Sequence, residues 1–442
     1  MKNIANSFYY NPKYKRSLQW FKLIAMTGAA QVLIQALGLI SGILIIRLLP
    51  TAEYAFYTLT NATLGSLTVL ADGGISVAVM AQGGKYWVSR EKLGVVISTG
   101  LDLRRKFGIV SLLIAIPVLF YLLRHHHASL LFTILIVLSL IPAFYSALSD
   151  SLLEIGPKLK QDIPLLQKNQ VTTSIARLIL TTVTVFIFPW TFIAILGSGL
   201  PRMWANISLK KLSRKYVDFS QKPDPAIRKE ILKVVKRSLP EIIYYSLSGQ
   251  ITIWLISFFG STSSVAQVGA LGRISMVLSL FGVLTGTLIV PRFARLPNKS
   301  NLLIKRFFQT NILFLVFCTA IIGITWLFSN QLLWILGKNY SGLNALLVLS
   351  MIAACIGLLI GVAWGLYSSR GYIINPLISI PINVASIVCG AFLFKISTTY
   401  GIYILNIFVG TIQLLMHIIY GIYKLYTVEG DNDKNNAVLS FQ

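Results

Sequence analysis

Three arginines and one aspartate, Arg177, Arg202, Arg273 and Asp72, stand inside long apolar stretches of this 442-residue chain. A charge at the centre of a bilayer costs roughly 2.5–3.5 kcal/mol on insertion scales, so it faces a watery cavity, a partner or a substrate. Guanidinium offers a planar fork of donors to phosphate oxygens, and three such groups against one carboxylate leave a cationic surplus suited to a phosphate-bearing molecule. The alternative is structural: each arginine bonds helix-end carbonyls or snorkels to an interface. Counted inward at about 1.5 Å per residue, Arg273 lies roughly 12 Å and Arg202 roughly 15 Å deep, while Asp72 and Arg177 share a similar depth and are placed to pair. Asp72 has a second possible use, as a carboxylate that exchanges H+ or Na+ during a transport cycle. Gln31, Gln35 and Asn61 offer hydrogen bonds either to sugar hydroxyls or to neighbouring helices. The aromatics Tyr54, Tyr57, Tyr244, Tyr245 and Trp254 suit sugar rings or an interfacial belt.

The elements that must position these groups follow from composition. Hydrophobic residues make up 55% of the chain and charged ones 12%, about half the charged fraction of a soluble domain. The mean hydropathy is +0.73, so the solvent for most of the chain is lipid. A bilayer core about 30 Å thick takes roughly 20 apolar residues per helix. Runs at that width fall at 27–46, 55–80, 107–123, 129–149, 172–190, 192–209, 241–259, 265–290, 307–328, 343–367, 375–396 and 401–425, predicting twelve spans. The basic segment around Lys13–Arg16 is not the start of a cleaved signal peptide. The expected fold is an all-α polytopic membrane protein with two six-helix lobes around a central cavity, related by a parallel pseudo-twofold axis.

Orientation follows from the cations. Of 39 Lys and Arg, three lie inside spans and four, Arg47, Arg124, Lys338 and Lys395, lie in alternate loops on one side, leaving 32 on the other. That asymmetry places both termini in the cytoplasm and accounts for the net charge of +25 without nucleic acid. The organisation read from the pattern is a lobe over 1–209, a basic linker over 210–240, a second lobe over 241–425 and a polar tail over 426–442. In the linker, Ile227, Ile231, Val234, Val235 and Leu239 recur at helical spacing opposite Arg228, Lys229, Lys233, Lys236 and Arg237, predicting an interfacial helix on anionic inner-leaflet lipids. Glu241 after Pro240 reads as a cap of the seventh span.

Gly38 and Gly42, Gly282 and Gly286, and Gly357, Gly361 and Gly365 are spaced for close helix contact, and Pro117, Pro142, Pro201, Pro376 and Pro381 permit kinks. Cys318, Cys355 and Cys389 lie in apolar runs as packing thiols, and His125–His127 is an interfacial tract. No GxxxxGK[ST] or HExxH motif occurs, which argues against direct ATP coupling and a membrane metalloprotease.

Arg47-Leu48-Leu49-Pro50 with Glu53, Tyr54 and Tyr57, then Asp72-Gly73-Gly74-Ile75-Ser76, resembles the first two helices of bacterial polysaccharide flippases. Val268-Gly269, Arg273 and Pro291-Arg292-Phe293-Ala294 are similar to their eighth helix; Ala55 departs from the usual glycine. These proteins belong to the multidrug/oligosaccharidyl-lipid/polysaccharide exporter superfamily. The resemblance implies translocation of undecaprenyl-pyrophosphate-linked oligosaccharide, of O-antigen type, across the bacterial cytoplasmic (inner) membrane by alternating access. It implies no enzyme activity and no cofactor beyond H+ or Na+ coupling, with a polyprenyl-pyrophosphate-linked glycan as substrate and polysaccharide polymerase machinery as a partner. Arg273, Arg202 and Arg177 would then receive the pyrophosphate. The competing readings are a secondary exporter of drugs or anionic metabolites and a membrane glycosyltransferase or ligase; the short outer loops, whose only acid is Glu53, disfavour an enzyme.

Overall fold

The structure, a computed structural model, describes residues 12–294, 296–370 and 372–427, and their side chains except at 12–24, 237, 238, 241, 245, 247, 287, 288 and 291. The described residues are mostly helical, with no strand among them, in a multi-pass membrane protein of two lobes. In order the helices are α1 (Pro12–Leu48), α2 (Thr51–Asp72), α3 (Ile75–Lys85), α4 (Arg90–His125), α5 (Leu130–Leu153), α6 (Ile155–Leu159), α7 (Ile163–Ile187), α8 (Thr191–Ser213) and α9 (Pro225–Ser248). There follow α10 (Ile251–Phe259), α11 (Thr262–Ser275), α12 (Leu278–Leu284), a π-helical turn (Thr285–Ile289), α13 (Val290–Ala294), α14 (Ser300–Leu327), α15 (Ser329–Leu336), α16 (Asn344–Ser368), α17 (Pro376–Leu393) and α18 (Thr399–Tyr426).

Eight described helices are long and apolar enough to cross a bilayer, and two bent pairs, α2 with α3 and α11 with α12, bring the number to ten. The sixth and seventh spans read from sequence correspond to α8 and to the end of α9 with α10. They fall short for different reasons: α8 carries Arg202, Lys210 and Lys211, whereas the apolar α10 is only nine residues long.

The chain forms two compact units. One comprises 1–49 with 60–248, the other 50–59 with 249–442. In the first, α1 packs on α7, α7 on α8, and α8 on α5. In the second, α18 packs on α16 and α17, and α14 on α16.

Two breaks have separate causes. Between α2 and α3 the chain bends by 41° at Gly73 (φ 50°) and Gly74 (φ 87°), both in left-handed conformations that cost other residues energy. The second bend, 42° between α11 and α12, leads into the π-helical turn, a device that frequently marks functional sites. The prolines behave differently from one another. Pro117, Pro142, Pro201 and Pro381 lie inside helices, whereas Pro376 opens α17 behind the Asn375 cap, where its missing N–H costs nothing.

Three expectations are corrected here. The amphipathic stripe of the linker is in part covered by protein and not by lipid: Ile231 and Val235 of α9 are buried in a cluster with Leu93, Val96, Ile97 and Val217, while Val234 stays exposed. Apolar residues on α3 and α4 offered that stripe a protein partner. Glu241 lies within α9, which starts at Pro225, so it caps no helix start; its side chain is outside the described residues, as are the side chain of Tyr245 and residues 428–442 of the tail. Finally, Gly38, Gly282, Gly286, Gly357 and Gly361 make no close helix contact, since a Cβ at any of them meets nothing within 4 Å. Instead Gly282, Gly286, Gly357, Gly361 and Gly365 line a largely apolar cavity of about 730 Å³ in the second unit.

Candidate functional site

Charged groups gather at two places, one in each unit. In the first unit a pocket of about 310 Å³ lies among α1, α2, α5, α7 and α8, lined by Asn61, Asp150, Glu154, Gln170, Arg177 and Arg202 among others. Asp150 and Glu154 are one turn apart on α5 and its C-terminal continuation, so helical spacing turns both into the same space. Arg202 Nε donates to Asp150 Oδ2 at 2.7 Å, and Asn206 Nδ2 to Asp150 Oδ1 at 2.5 Å. Gln31 Nε2 donates to Gln170 Oε1 at 3.4 Å, Gln170 Nε2 donates to Glu154 Oε1 at 3.0 Å, and Lys158 lies 2.6 Å from the other Glu154 oxygen. Arg177 faces this pocket from α7 with no ion pair among the described residues. Three sequence candidates, Asn61, Arg177 and Arg202, thus share one pocket and Gln31 joins its rim, while Gln35 is half-buried on α1 outside the lining. Asp150 offsets Arg202 and Glu154 is taken by Lys158, so Arg177 keeps its charge among the described residues. Asp150 escaped the sequence reading because the apolar run stops at 149, while the helix continues to Leu153.

Asp72 does not pair with Arg177. Its Oδ1 lies 3.1 Å from Arg104 Nη2 and accepts from Ser76 Oγ at 2.5 Å and Ser76 N at 3.2 Å. The reason is the early start of α4: helix begins at Arg90, well before the apolar run at 107, and carries Arg104 to the level of Asp72. The segment from Arg90 folds as helix because its Leu93, Val96, Ile97 and Leu103 are buried on one face. Asp72 therefore ties the end of α2 to the first turn of α3, across the Gly73–Gly74 bend. Arg104 also reaches Ser151, linking α4 to α5.

In the second unit, the guanidinium of Arg273 on α11 has the phenols of Tyr54 and Tyr57 as its electrostatic neighbours. Residues 50–59 belong to this unit, so Tyr54 and Tyr57 share it with Arg273. Thr58 lies so close to Gly269 that any side chain at 269 would overlap it. Tyr340 stands edge-on to Tyr54 with ring centres 6.5 Å apart, and Tyr403, also buried, has a hydroxyl with no hydrogen-bond partner among the described residues. The tyrosines are nearly inaccessible, whereas Arg273 is half-buried. No carboxylate pairs with it among the described residues, so its charge is held by neutral oxygens. Two more cations were missed: Arg104, counted as a loop residue, and Arg370, whose guanidinium reaches the Phe293, Ala294 and Leu296 carbonyls at the C-terminus of α13, the negative end of that helix.

No protein-family model matches the chain, and no curated protein does. Solved structures do. The lipid II flippase MurJ in an inward closed conformation superposes with a TM-score of 0.68 at 13% identity, covering 91% of this chain and 90% of that one. A multidrug resistance MATE family transporter of the MOP superfamily, outward-facing, gives 0.63 at 14% identity over 93% and 96%. This chain has the fold of these transporters. A MOP superfamily transporter from Pyrococcus furiosus, described as having a binding pocket of reversed polarity, gives 0.59 at 15% identity over 92% and 96%.

Proposed function

We propose that this transporter-fold protein flips a polyprenyl-pyrophosphate-linked oligosaccharide across the bacterial cytoplasmic membrane by alternating access, with both termini cytoplasmic. The observation that carries this reading is Arg273: a half-buried guanidinium beside the phenols of Tyr54 and Tyr57 and neutralised by no carboxylate among the described residues. Phenols orient the fork without cancelling its charge, so the positive potential remains available to a phosphate. The similarity to a lipid II flippase supports a lipid-linked cargo. Asp72 supplies the coupling group in this proposal: protonation, or Na+ binding to its oxygens, would loosen its hold on Arg104 and Ser76 and free the bend between α2 and α3. The test is deletion of the gene followed by mass spectrometry of lipid-linked glycans. Complete lipid-linked units accumulate while surface polymer is lost; accumulation of incomplete units would make the protein an enzyme instead.

The second reading, a secondary exporter of drugs or anionic metabolites, is supported by the similarity to a multidrug resistance MATE family transporter. Unchanged lipid-linked glycans in the deletion strain, with drug sensitivity raised, would select it.

A further inference from the structure

A cleft of about 330 Å³ lies between α4, α5 and α8 of the first unit, separate from the pocket around Arg202. Three cations line it: Arg104, Arg105 and Lys210. Arg104 is 5% exposed, its two terminal nitrogens engage Asp72, Ser76 and Ser151, and its Nε has no hydrogen-bond partner among the described residues. Arg105 and Lys210 are exposed and form no ion pair among the described residues; Lys210 Nζ stands 6.0 Å from the Phe219 ring centre. The neighbouring acids are already engaged, Asp102 by Lys106 and Arg228, and Asp150 by Arg202 and Asn206. The cleft is therefore net cationic.

Its depth is fixed by helix geometry. About twenty residues cross the hydrocarbon core. Counted that far from the ends remote from the basic loops, α4 reaches Arg105 from His125, α5 reaches Ser149 from Leu130, and α8 reaches Lys210 from Thr191. All three place the cations at headgroup level. Beside them the walls are apolar and open: Tyr145 is 59% and Ile207 56% exposed. Toward the midplane α5 continues with exposed Leu138 and Ile141, and α8 with exposed Leu200 and Trp204 on the side that faces α7. Cations at headgroup level continuous with an exposed apolar face fit an anionic amphiphile, whereas a free anion would leave the apolar wall unused.

We propose that this cleft binds the phosphate headgroup of an anionic phospholipid, with its acyl chains along the exposed apolar residues of α5 and α8. The site requires only that the helices span a bilayer and is independent of the transported cargo. The test uses the full-length protein purified in a neutral detergent, with phosphatidylglycerol, phosphatidylcholine and inorganic phosphate added separately and melting followed by tryptophan fluorescence. Phosphatidylglycerol is expected to raise the melting temperature where the other two do not, and the exposed-site double variant Arg105→Gln/Lys210→Gln to weaken its apparent affinity about 30-fold while melting like the parent without lipid. An equal response to phosphatidylcholine, a response to inorganic phosphate alone, or an unchanged response of the variant would overturn the assignment. So would loss in that variant of polyprenyl pyrophosphate binding with phosphatidylglycerol binding intact, since the cleft would then belong to the cargo.

Discussion

Arg273 is a cation whose partners carry no charge, and that determines what its replacement does. Arg273→Ala removes the donors proposed to meet the pyrophosphate; charged hydrogen bonds contribute about 1.5–3 kcal/mol, so cargo affinity falls about 10- to 100-fold while the protein stays in the membrane. Arg273→Lys keeps the charge but loses the fork and recovers only part of the activity. Export assayed in membranes with matched protein levels checks both, and full activity of the Ala variant would exclude the residue. Arg104 differs because its partner is Asp72: Arg104→Met leaves a carboxylate without its cation and costs up to about 3–5 kcal/mol, read as a lower melting temperature. Pairing it with Asp72→Asn is expected to recover part of that loss, a coupling that two independent sites would not show. Outside the membrane, Asp218 accepts from Gln221 and from the Ser220 amide and hydroxyl, which hold its carboxyl at about 2. A depressed carboxyl contributes above its ordinary range and is lost only as pH falls through its folded value. Amide protection of the 214–224 loop is therefore unchanged from pH 7 to about 4 and declines only toward pH 2, as hydrogen exchange would report.

Among the helices, glycines of identical sequence appearance do opposite things. Gly74 has φ 87° at the bend that opens α3, so Gly74→Ala costs about 1–3 kcal/mol through backbone strain. Gly361 lines an open cavity and a Cβ there meets nothing within 4 Å, so Gly361→Ala is neutral or stabilising by about 0.5–1 kcal/mol. Melting of the two purified variants separates them, and equal destabilisation would contradict this geometry. Small-residue spacing showed that something approaches these positions or leaves room there, without saying which. The α9 stripe taught the same lesson: its spacing announced a buried face, and only the apolar residues of α3 and α4 decided that protein, not lipid, would cover part of it.

At the scale of the whole molecule, mean hydropathy, run length and the distribution of Lys and Arg were sufficient for an all-helical, multi-pass, two-lobed protein, because the bilayer leaves the backbone almost no other solution. Apolar runs also located Arg177, Arg202, Arg273 and Asp72, since an intramembrane charge is conspicuous against its surroundings. Their partners were not legible. Hydropathy marks where a helix becomes apolar, and α4 and α5 extend beyond that point, carrying Arg104 and Asp150 into register with Asp72 and Arg202. Nor could spacing along the chain show that Tyr54 and Tyr57 share a compact unit with Arg273. Solvent preference acts on each residue where it stands in the sequence, so the sequence by itself determined the spans and the charges. Ion pairs act across distances set by packing, so only the tertiary structure decided which charges are cancelled, as Arg202 is by Asp150, and which, like Arg273, keep their charge on neutral oxygens.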